Sequence, residues 1–426
     1  MPPKRSFWQL LCLSMGAFGI QYAWAVQYSQ MSPFLETLQS TALLTALIWC
    51  AGPITGTITQ PVIGALSDRT WTWLGSRRPF LLLGAIVCAL CMVAMPNSPN
   101  LLTAALILWV WDTSINVCQG PIRWLAYDVV QAKQQPLAFS FISLMLGVGA
   151  FVAFFLGWQM PNMHALFYIG AGIMLVSMTW TIMTTPEERL PHLQEAELKK
   201  LPKVSLGSIA KETWQGMKNM DPEAQKLCWA NGFTWFGAQC MFVFFPLFVL
   251  HNLYQTQESG TPLYTQAMQT VSLAWMVYYV VCFVFSPIAG KLCKNMSMKS
   301  IHTFGLLCMA GALFYMHSFA VTPMHAVIGM GVAGMGWATT LSIPFAWAAQ
   351  YVPEGKGGLH LAVFNTYIAF FSFIGSLLVG LVVSQTGNDA SALLLAGGIV
   401  TLSIVILQFV KERGTEDERL TGTVPA

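Results

Sequence analysis

Two charged residues lie in one long apolar stretch of the sequence, together with several amides. Asp112 and Arg123 occur within residues 101–131, and Asn116 and Gln119 fall between them. In a helix, Asn116, Gln119 and Arg123 lie roughly 40°, −20° and 20° from Asp112 around the axis. The spacing therefore predicts a polar stripe over three helical turns, with Arg123 about 16 Å from Asp112 along the axis.

The depth of this stripe determines what chemistry it can perform. A carboxylate in the middle of a membrane is costly unless it meets water or a partner. Gly120-Pro121 interrupts the stripe, and a transmembrane helix tolerates such a break where neighbours or water satisfy the backbone. One interpretation is a buried Asp112–Arg123 pair that locks helices together. The other, which we favour, is a polar path for an ion or a solute through a helical bundle.

The composition is that of a membrane protein with many spans. Of the 426 residues, 55% are hydrophobic and 9% charged, whereas soluble domains have about 25% charged residues. The ten cysteines fall almost entirely in apolar runs. We expect no metal, no cofactor and no nucleic-acid partner. The bilayer itself is the expected environment, and we expect a monomeric integral protein of the plasma (inner) membrane.

Twelve apolar runs are long enough to cross a bilayer. They cover residues 8–28, 41–63, 79–95, 101–131, 138–158, 163–183, 227–250, 266–290, 299–319, 323–351, 358–382 and 390–410. Loops on one side carry the basic residues, including Arg69, Lys133 and Lys291, whereas the opposite loops contain no Lys or Arg. Because basic loops stay in the cytoplasm, the sequence predicts an all-α protein with both termini cytoplasmic.

The chain divides into two halves of six spans. We expect an N-terminal half at 1–185, a cytoplasmic linker at 186–226, a C-terminal half at 227–410 and a cytoplasmic tail at 411–426. In the linker, Ile209, Trp214 and Met217 could form the apolar face of a short interfacial helix, and a plain linker is the equal alternative.

Short motifs recur in both halves. Pro61-Val-Ile-Gly64-Ala-Leu recurs as Pro287-Ile-Ala-Gly290-Lys-Leu, and Pro121-Ile-Arg-Trp124 recurs as Pro344-Phe-Ala-Trp347, at offsets of 226 and 223 residues. Such a parallel six-span repeat resembles the major facilitator transporters, which bind substrate between the halves. Arg123 corresponds to Ala346, so charge chemistry is expected in the N-terminal half.

The loop after the second span carries a dense set of glycine, acidic and basic residues. It includes Gly64, Asp68, Arg69, Arg77 and Arg78. This pattern resembles the G-x-x-x-D-R…R-R signature of the major facilitator superfamily, in the longer form of glycoside–cation symporters. The resemblance implies that these five residues serve as a gate. An ordinary positive-inside loop is the alternative.

Further motifs resemble the plant sucrose/proton symporters. They are Gln21, Trp24, Gln27 and Tyr28 in the first span, Gly52-Pro53 and Gln60-Pro61 in the second, and Asp112, Asn116, Gln119 and Arg123 in the fourth. Asn365 lies in the eleventh span, within a segment that resembles this family less closely. The resemblance implies proton-coupled glycoside uptake, with Asp112 as the protonation site and Arg123 as its charge partner. The acidic and arginine cluster beyond the seventh span is replaced by His251-Asn252-Leu253-Tyr254.

A sugar needs apolar faces for its rings and polar groups for its hydroxyls. Aromatic and amide side chains of the spans are therefore the candidate substrate-binding residues: Gln21, Trp24, Gln27, Tyr28, Asn116, Gln119, Asn231, Trp235, Gln239 and Asn365. The expected function is import of a neutral disaccharide or other glycoside with a proton. The alternative functions are a carrier for a different solute and an uncoupled sugar facilitator. A membrane-embedded enzyme is disfavoured, because no H-E-x-x-H or G-x-S-x-G motif occurs.

Overall fold

A computed structural model describes residues 4–187, 206–351 and 357–412. Nearly all of these residues are helical, and an isolated bridge pairs Thr72 with Gly75. The N-terminal helices are α1 Phe7–Thr37, α2 Ala42–Trp49, α3 Ala51–Ser67, α4 Arg78–Ala94, α5 Leu101–Val129, α6 Gln135–Gln159 and α7 Met163–Thr184.

One short helix precedes the C-terminal half. It is α8, Leu206–Lys218, and it confirms a helix in the predicted linker. Trp214 on α8 is exposed, whereas Met217 packs against the core. The remaining helices are α9 Pro222–Phe248, α10 Pro262–Leu292, α11 Met298–Phe319, α12 Pro323–Ala348, α13 Gly357–Thr386 and α14 Ala390–Gln408. A π-helix, Val249–Leu253, continues α9.

Local sequence determines where the helices begin. Ser6 caps α1 and forms a capping box with Gln9, which satisfies two backbone donors at the helix start. Asn100 caps α5 and Thr261 caps α10 through their side-chain oxygens. The predicted second span is broken at Cys50 into α2 and α3.

Eleven stretches of the described helices are long and apolar enough to cross a membrane. The predicted span at residues 299–319, the ninth in chain order, corresponds to α11, which has 22 residues and is not among these eleven. Its two histidines, His302 and His317, lower its mean hydropathy. The structure therefore confirms a nearly all-helical membrane protein, and the count of twelve spans and the cytoplasmic termini stay predictions.

The two halves use the same pattern of helix pairs. In the N-terminal half, α1 packs on α6 and α7, while α5 packs on α3 and α4, and α4 packs on α7. In the C-terminal half, α9 packs on α13 and α14, while α12 packs on α10 and α11, and α11 packs on α14. This correspondence agrees with the repeat that the sequence motifs predict.

In the described part of the chain, the halves meet mainly along four pairs of helices: α6 with α10, α2 with α13, α3 with α13, and α1 with α9. Ser32 Oγ donates to Val243 O at 2.6 Å, and Gln269 Nε2 donates to Trp158 O at 3.1 Å. Both bonds lie toward the end of the bundle that contains Glu36, which we call the Glu36 end. The opposite end, which contains Asp68, is the Asp68 end.

Glycines allow the closest helix contacts. A Cβ atom at Gly149 of α6 would lie 2.3 Å from Phe18 O of α1, and one at Gly334 of α12 would lie 2.4 Å from Tyr278 O of α10. Small residues at such positions let helix backbones approach in membranes. Only glycine fits at these two contacts without moving a helix.

We expect Gly149→Ala to destabilise the protein, because the added methyl group meets a backbone carbonyl that no side-chain rotation can move. The expected loss is about 2 kcal/mol or more, as for other overpacked cores. The midpoint of thermal unfolding in detergent measures this effect.

Gly172→Ala in α7 is the matched control, because nothing lies within 4 Å of a Cβ atom at Gly172. This variant gains helix propensity and should unfold at or above the wild-type midpoint. Equal midpoints for the two variants would show that the α1–α6 contact adjusts freely.

Candidate functional site

The polar stripe of α5 lies against a stripe of small residues on α3. A Cβ atom at Gly52 would lie 3.4 Å from Asp112 Oδ2, and one at Gly56 would lie 3.5 Å from Asn116 Oδ1. A Cβ atom at Gly64 would lie 3.1 Å from the Trp124 ring. These three contacts share an offset of 60 residues, so the two helices run parallel in one register.

Asn116 holds the two helices together. Its side-chain oxygen accepts from Gln60 Nε2 at 2.9 Å, and its amide nitrogen donates to Asp112 O at 2.9 Å and to Thr55 Oγ1 at 3.4 Å. The predicted substrate ligand Asn116 is therefore engaged in helix packing. Replacement of Asn116 would therefore also weaken the contact between α5 and α3.

Asp112 is fully buried. Gln27 of α1 faces its carboxylate, yet neither carboxylate oxygen accepts a bond of full hydrogen-bond geometry from a described residue. Both polar atoms of the buried Gln27 side chain are likewise without such a partner. A carboxylate and an amide in this state can bind a proton or a hydroxyl group, because burial makes unmet hydrogen bonds costly.

Exposure rises along α5 toward the Asp68 end. Asp112 and Asn116 are buried, Gln119 is half-buried, and Arg123 is exposed. Arg123 lies about 20° from Asp112 around the helix, so its exposure shows that the polar face borders an open space at this end. Among the described residues Asp112 and Arg123 form no ion pair in this conformation. The predicted charge partnership stays a prediction.

Aromatic rings close the site toward the Glu36 end. Tyr28 of α1 stacks on Phe242 of α9, with ring centroids 4.8 Å apart, and on Trp275 of α10 at 6.0 Å. Trp24 stacks on Tyr28 at 6.0 Å, and Phe242 contacts Trp337 of α12 at 5.2 Å. We call Tyr28, Phe242, Trp275 and Trp337 the aromatic cluster. It joins both halves across the interface.

Polar groups of both halves lie on the Asp68 side of this cluster. On α9, Asn231 and Trp235 share the face of Phe242. Around the helix axis, one lies about 20° to one side of Phe242 and the other about 20° to the opposite side. Both polar side-chain atoms of Asn231 and the Trp235 Nε1 atom are buried without a partner among the described residues. On α1, Gln21 donates to Tyr279 OH at 3.4 Å across the interface.

Gln21 and Tyr28 therefore contact the other half directly, Trp24 stacks on Tyr28, and Asn231 and Trp235 share the helix face of Phe242. Gln27 faces Asp112 and Gln119 lies on the polar face of α5, both within the N-terminal half. Gln239 instead donates to Ser376 Oγ at 3.1 Å within the C-terminal half. Asn365 on α13 is exposed. Sequence reasoning missed Tyr278 and Tyr279, although this tyrosine pair stands out within an apolar run. The Tyr278 hydroxyl is buried without a partner in the described chain.

One predicted gate residue, Arg77, joins several side chains at the Asp68 end. Arg77 Nη2 lies 2.5 Å from Asp68 Oδ1, and Arg77 Nε lies 2.9 Å from Asp128 Oδ2. Arg77 also donates to Ser67 Oγ. Burial opposes the charge of Arg77, but Asp128 and Asp68 outweigh this effect and raise its pKa.

Glu187 completes this group of charges. Its carboxylate accepts from the backbone nitrogens of Ser76, Arg77 and Arg78 at 2.8–3.1 Å, where the start of α4 favours negative charge. The gate hypothesis also predicts a contact between Asp68 and the start of the eleventh predicted span near Gly358, and the side chains there lie outside the described residues.

Cys88 and Cys91 have C-x-x-C spacing, but both lie on the buried face of α4 as free cysteines. Within the described ranges, no group of three or more His, Cys, Asp or Glu side chains has the geometry of a metal site.

This fold, with buried polar groups between two repeated six-helix units, defines a membrane carrier. Residues 13–376 match the family model of the Major Facilitator Superfamily. The chain belongs to the Major Facilitator Superfamily, and it is an integral membrane protein.

Curated relatives with similar sequences are transport proteins. The chain is 23% identical to the sucrose transport protein SUT3 of Oryza sativa subsp. indica, with 100% of this chain and 90% of the relative covered. It is 22% identical to the sucrose transport protein SUC3 of Arabidopsis thaliana, with 85% and 80% covered. It is 27% identical to the general alpha-glucoside permease of Schizosaccharomyces pombe, with 55% and 47% covered.

Solved structures show the same fold at low identity. The nucleoside transporter NupG aligns with a TM-score of 0.72 and 14% identity, covering 95% of this chain and 99% of that chain. A POT family transporter in complex with 5-aminolevulinic acid aligns with a TM-score of 0.72 and 13% identity, covering 96% and 97%. The matching proteins are transporters, which confirms the prediction of a carrier rather than an enzyme.

We expect Asp128→Asn to lower stability, because the buried guanidinium of Arg77 loses one of its two charged partners. The expected loss in the free energy of unfolding is about 1–3 kcal/mol. It is limited because Asp68 still pairs with Arg77 and because the Asp128 side chain is partly exposed to water. Thermal unfolding in detergent measures the change.

Glu258→Gln is the control, since Glu258 is exposed and surface charges contribute little. The wild-type midpoint is expected for this variant. A wild-type midpoint for Asp128→Asn would mean that Asp128 does not support the arginine.

Proposed function

We propose that this protein is a secondary transporter that imports a neutral disaccharide or other glycoside together with a proton. It would act as a monomer in the plasma (inner) membrane by alternating access. The observation that carries this proposal is the set of buried polar atoms without protein partners on both sides of the interface, at Gln27 and Asp112 on one half and at Asn231 and Trp235 on the other, among the described residues.

These groups suit a sugar. Amides offer both donors and acceptors for hydroxyl groups, and Trp24 and Trp235 offer flat apolar faces for a ring. The spans carry few charges near this level apart from Asp112 and Arg123, whereas an organic cation or anion would require more compensating charge inside the bundle. A neutral, hydroxyl-rich solute therefore fits best.

The relatives support the same class of substrate. Several are named as sucrose transport proteins and one as a general alpha-glucoside permease. Their low identity to this chain leaves the particular sugar open, so sucrose and maltose are candidates of equal standing.

The conformation supports alternating access. The aromatic cluster and the hydrogen bond between Ser32 and Val243 close the Glu36 end, whereas the polar face of α5 becomes exposed toward the Asp68 end. Lys133, Lys291 and Lys294 lie at the Asp68 end. Because basic loops face the cytoplasm, we assign the Asp68 end to the cytoplasmic side, and the structure then represents an inward-facing state.

Asp112 is the proposed coupling residue. A carboxylate that is fully desolvated favours its protonated form, and contact with cytoplasmic water would allow proton release. One proton that moves through 100 mV and one pH unit supplies roughly 2.3 plus 1.4 kcal/mol, enough for several-hundred-fold accumulation. Arg123, about three turns nearer the cytoplasm, would attract the deprotonated carboxylate in the course of the cycle.

We expect Asp112→Asn to abolish concentrative uptake but to retain sugar exchange, because asparagine keeps the shape of the side chain and cannot exchange a proton. The measurement is uptake and counterflow of labelled sucrose and maltose in proteoliposomes with an imposed proton gradient.

Asp221→Asn is the control, since Asp221 caps α9 outside the interface and asparagine caps helices equally well. It should accumulate sugar normally. Full accumulation by Asp112→Asn would contradict the coupling role, and a wild type that exchanges sugar but never concentrates it would indicate an uncoupled facilitator.

We also expect Asn231→Ala and Gln119→Ala each to weaken apparent sugar affinity about tenfold, the effect of losing a buried hydrogen bond of roughly 1.5 kcal/mol. The concentration dependence of counterflow gives this affinity, and calorimetry on purified protein gives it independently.

Asn219→Ala provides the comparison, because Asn219 is an exposed amide near the end of α8. The apparent sugar affinity of this variant should equal that of the wild type. Binding of an amino acid or an organic cation, with no binding of a neutral sugar, would leave the carrier fold intact and overturn the glycoside assignment.

A further inference from the structure

Three ionisable side chains meet at the Glu36 end. His251 Nδ1 lies 2.5 Å from Asp389 Oδ2, and His251 Nε2 lies 2.9 Å from Glu36 Oε1. The side chains are 10–28% exposed, so they lie just below the surface. We call Glu36, His251 and Asp389 the histidine cluster.

The geometry defines the protonation state of this cluster. A neutral imidazole carries one N–H group and one acceptor nitrogen, whereas an imidazolium donates from both nitrogens. Here both ring nitrogens face carboxylate oxygens at hydrogen-bond distance. Because an acceptor nitrogen against a carboxylate would be repulsive, the arrangement requires one additional proton. Imidazole is a stronger base than a carboxylate, so the ring carries this proton as an imidazolium between two carboxylates.

The cluster spans the two halves unequally. Glu36 ends α1 of the N-terminal half, whereas His251 and Asp389 belong to the C-terminal half. The π-helix Val249–Leu253 presents the ring of His251, and Asn252 Nδ2 donates to Asn388 Oδ1 at 2.8 Å beside it. Of the contacts within this cluster, only the one with Glu36 has to break when the halves separate at this end.

We propose that His251 is a second proton-binding site, distinct from Asp112, and that its bound proton holds the Glu36 end closed by joining Glu36 to Asp389. This inference rests on the proposed alternating access but needs neither the sugar nor its identity. Binding forms one N–H bond on the ring, and the proton comes from the solution at this end.

No Lys or Arg of the described part of the chain is in an ion pair with this cluster. Glu258 lies with His251 along a polar pocket of about 400 Å³, which gives the ring a route to water. Tyr264 of α10 lies near Glu36, and Tyr254 is bonded to Thr270 Oγ1 at 2.7 Å.

Two further histidines lie at this end on neighbouring helices. His317 of α11 is bonded to Ala390 O at 2.9 Å, next to Asp389. His325 of α12 packs against Tyr315. Both therefore contact groups of the C-terminal half, so His251 is the described histidine that bridges the two halves.

The direction of the pH effect follows from linkage. The closed end holds the proton between two carboxylates, whereas the open end loses the contact with Glu36, so closing favours proton uptake. Acid therefore stabilises the closed Glu36 end, and this stabilisation disappears as the pH rises and His251 loses its proton.

The test measures opening at the Glu36 end directly. Thr37 on α1 and Val321 between α11 and α12 are exposed on opposite halves. Each of the two residues is replaced by an azide-bearing amino acid, and a spin label is attached to the azide. The native cysteines then need not be removed. Distances in full-length protein in lipid nanodiscs are then recorded between about pH 5 and about pH 9.

The wild type should move toward longer distances as the pH rises, with an open-to-closed ratio that changes about tenfold, as expected for loss of a charge-assisted bond. His251→Gln and Glu36→Gln should be open at every pH. His251→Lys, which keeps a positive charge, should be closed at every pH. Asp112→Asn should retain the wild-type response, which separates this site from the coupling carboxylate.

His164→Gln is the matched control, because His164 is an exposed histidine at the start of α7 and does not join the halves. It should show the wild-type response. A wild type whose distances do not change with pH would overturn the proposal, and so would an unchanged response in both His251→Gln and Glu36→Gln.

Discussion

The structure depends on the cost of placing a carboxylate inside a membrane. Asp112 is fully buried, and its carboxylate lies against Gly52 on α3, where a Cβ atom would be in van der Waals contact with it. Asn116 then fixes α5 to α3 through Gln60 and Thr55. Because the glycine stripe, the amide and the carboxylate share one register, the position of Asp112 depends on the whole α3–α5 contact. A shift of either helix would expose the charge to lipid or crowd it against a Cβ atom.

The sequence predicted the parts of this arrangement that lie on a single helix. The polar stripe of α5 follows from a 3.6-residue period, and most spans follow from uninterrupted apolarity. It did not predict the break at Cys50, because the apolar run continues across this residue from α2 into α3. The aromatic cluster was also hidden, since Tyr28, Phe242 and Trp275 look the same in a sequence whether they face lipid or one another. The histidine cluster joins residues 215 and 138 positions apart, and no local pattern connects such positions.

The repeated motifs show how far the halves have diverged. Gly64 and Gly290 occupy equivalent positions, yet a Cβ atom at Gly64 would meet Trp124 at 3.1 Å, whereas nothing lies within 4 Å at Gly290. Trp124 covers α3 beside Arg77, whereas its equivalent Trp347 donates to Tyr351 OH. The same backbone repeat therefore supports a charged group in the N-terminal half and aromatic and amide groups in the C-terminal half.

The charged groups at the two ends of the bundle differ in one respect that bears on transport. The described ion pairs of Arg77 at the Asp68 end lie within the N-terminal half, so they hold that half together in any orientation of the other. The contact between Glu36 and His251 crosses the interface and exists only while the Glu36 end is closed. A rigid rotation of the halves must break this contact, the Ser32–Val243 bond and the stacking of Tyr28 on Phe242 together. Two of these three interactions are uncharged and insensitive to pH. Among these three interactions, the contact in the ionised cluster is therefore the one whose contribution to the free energy of opening changes with pH.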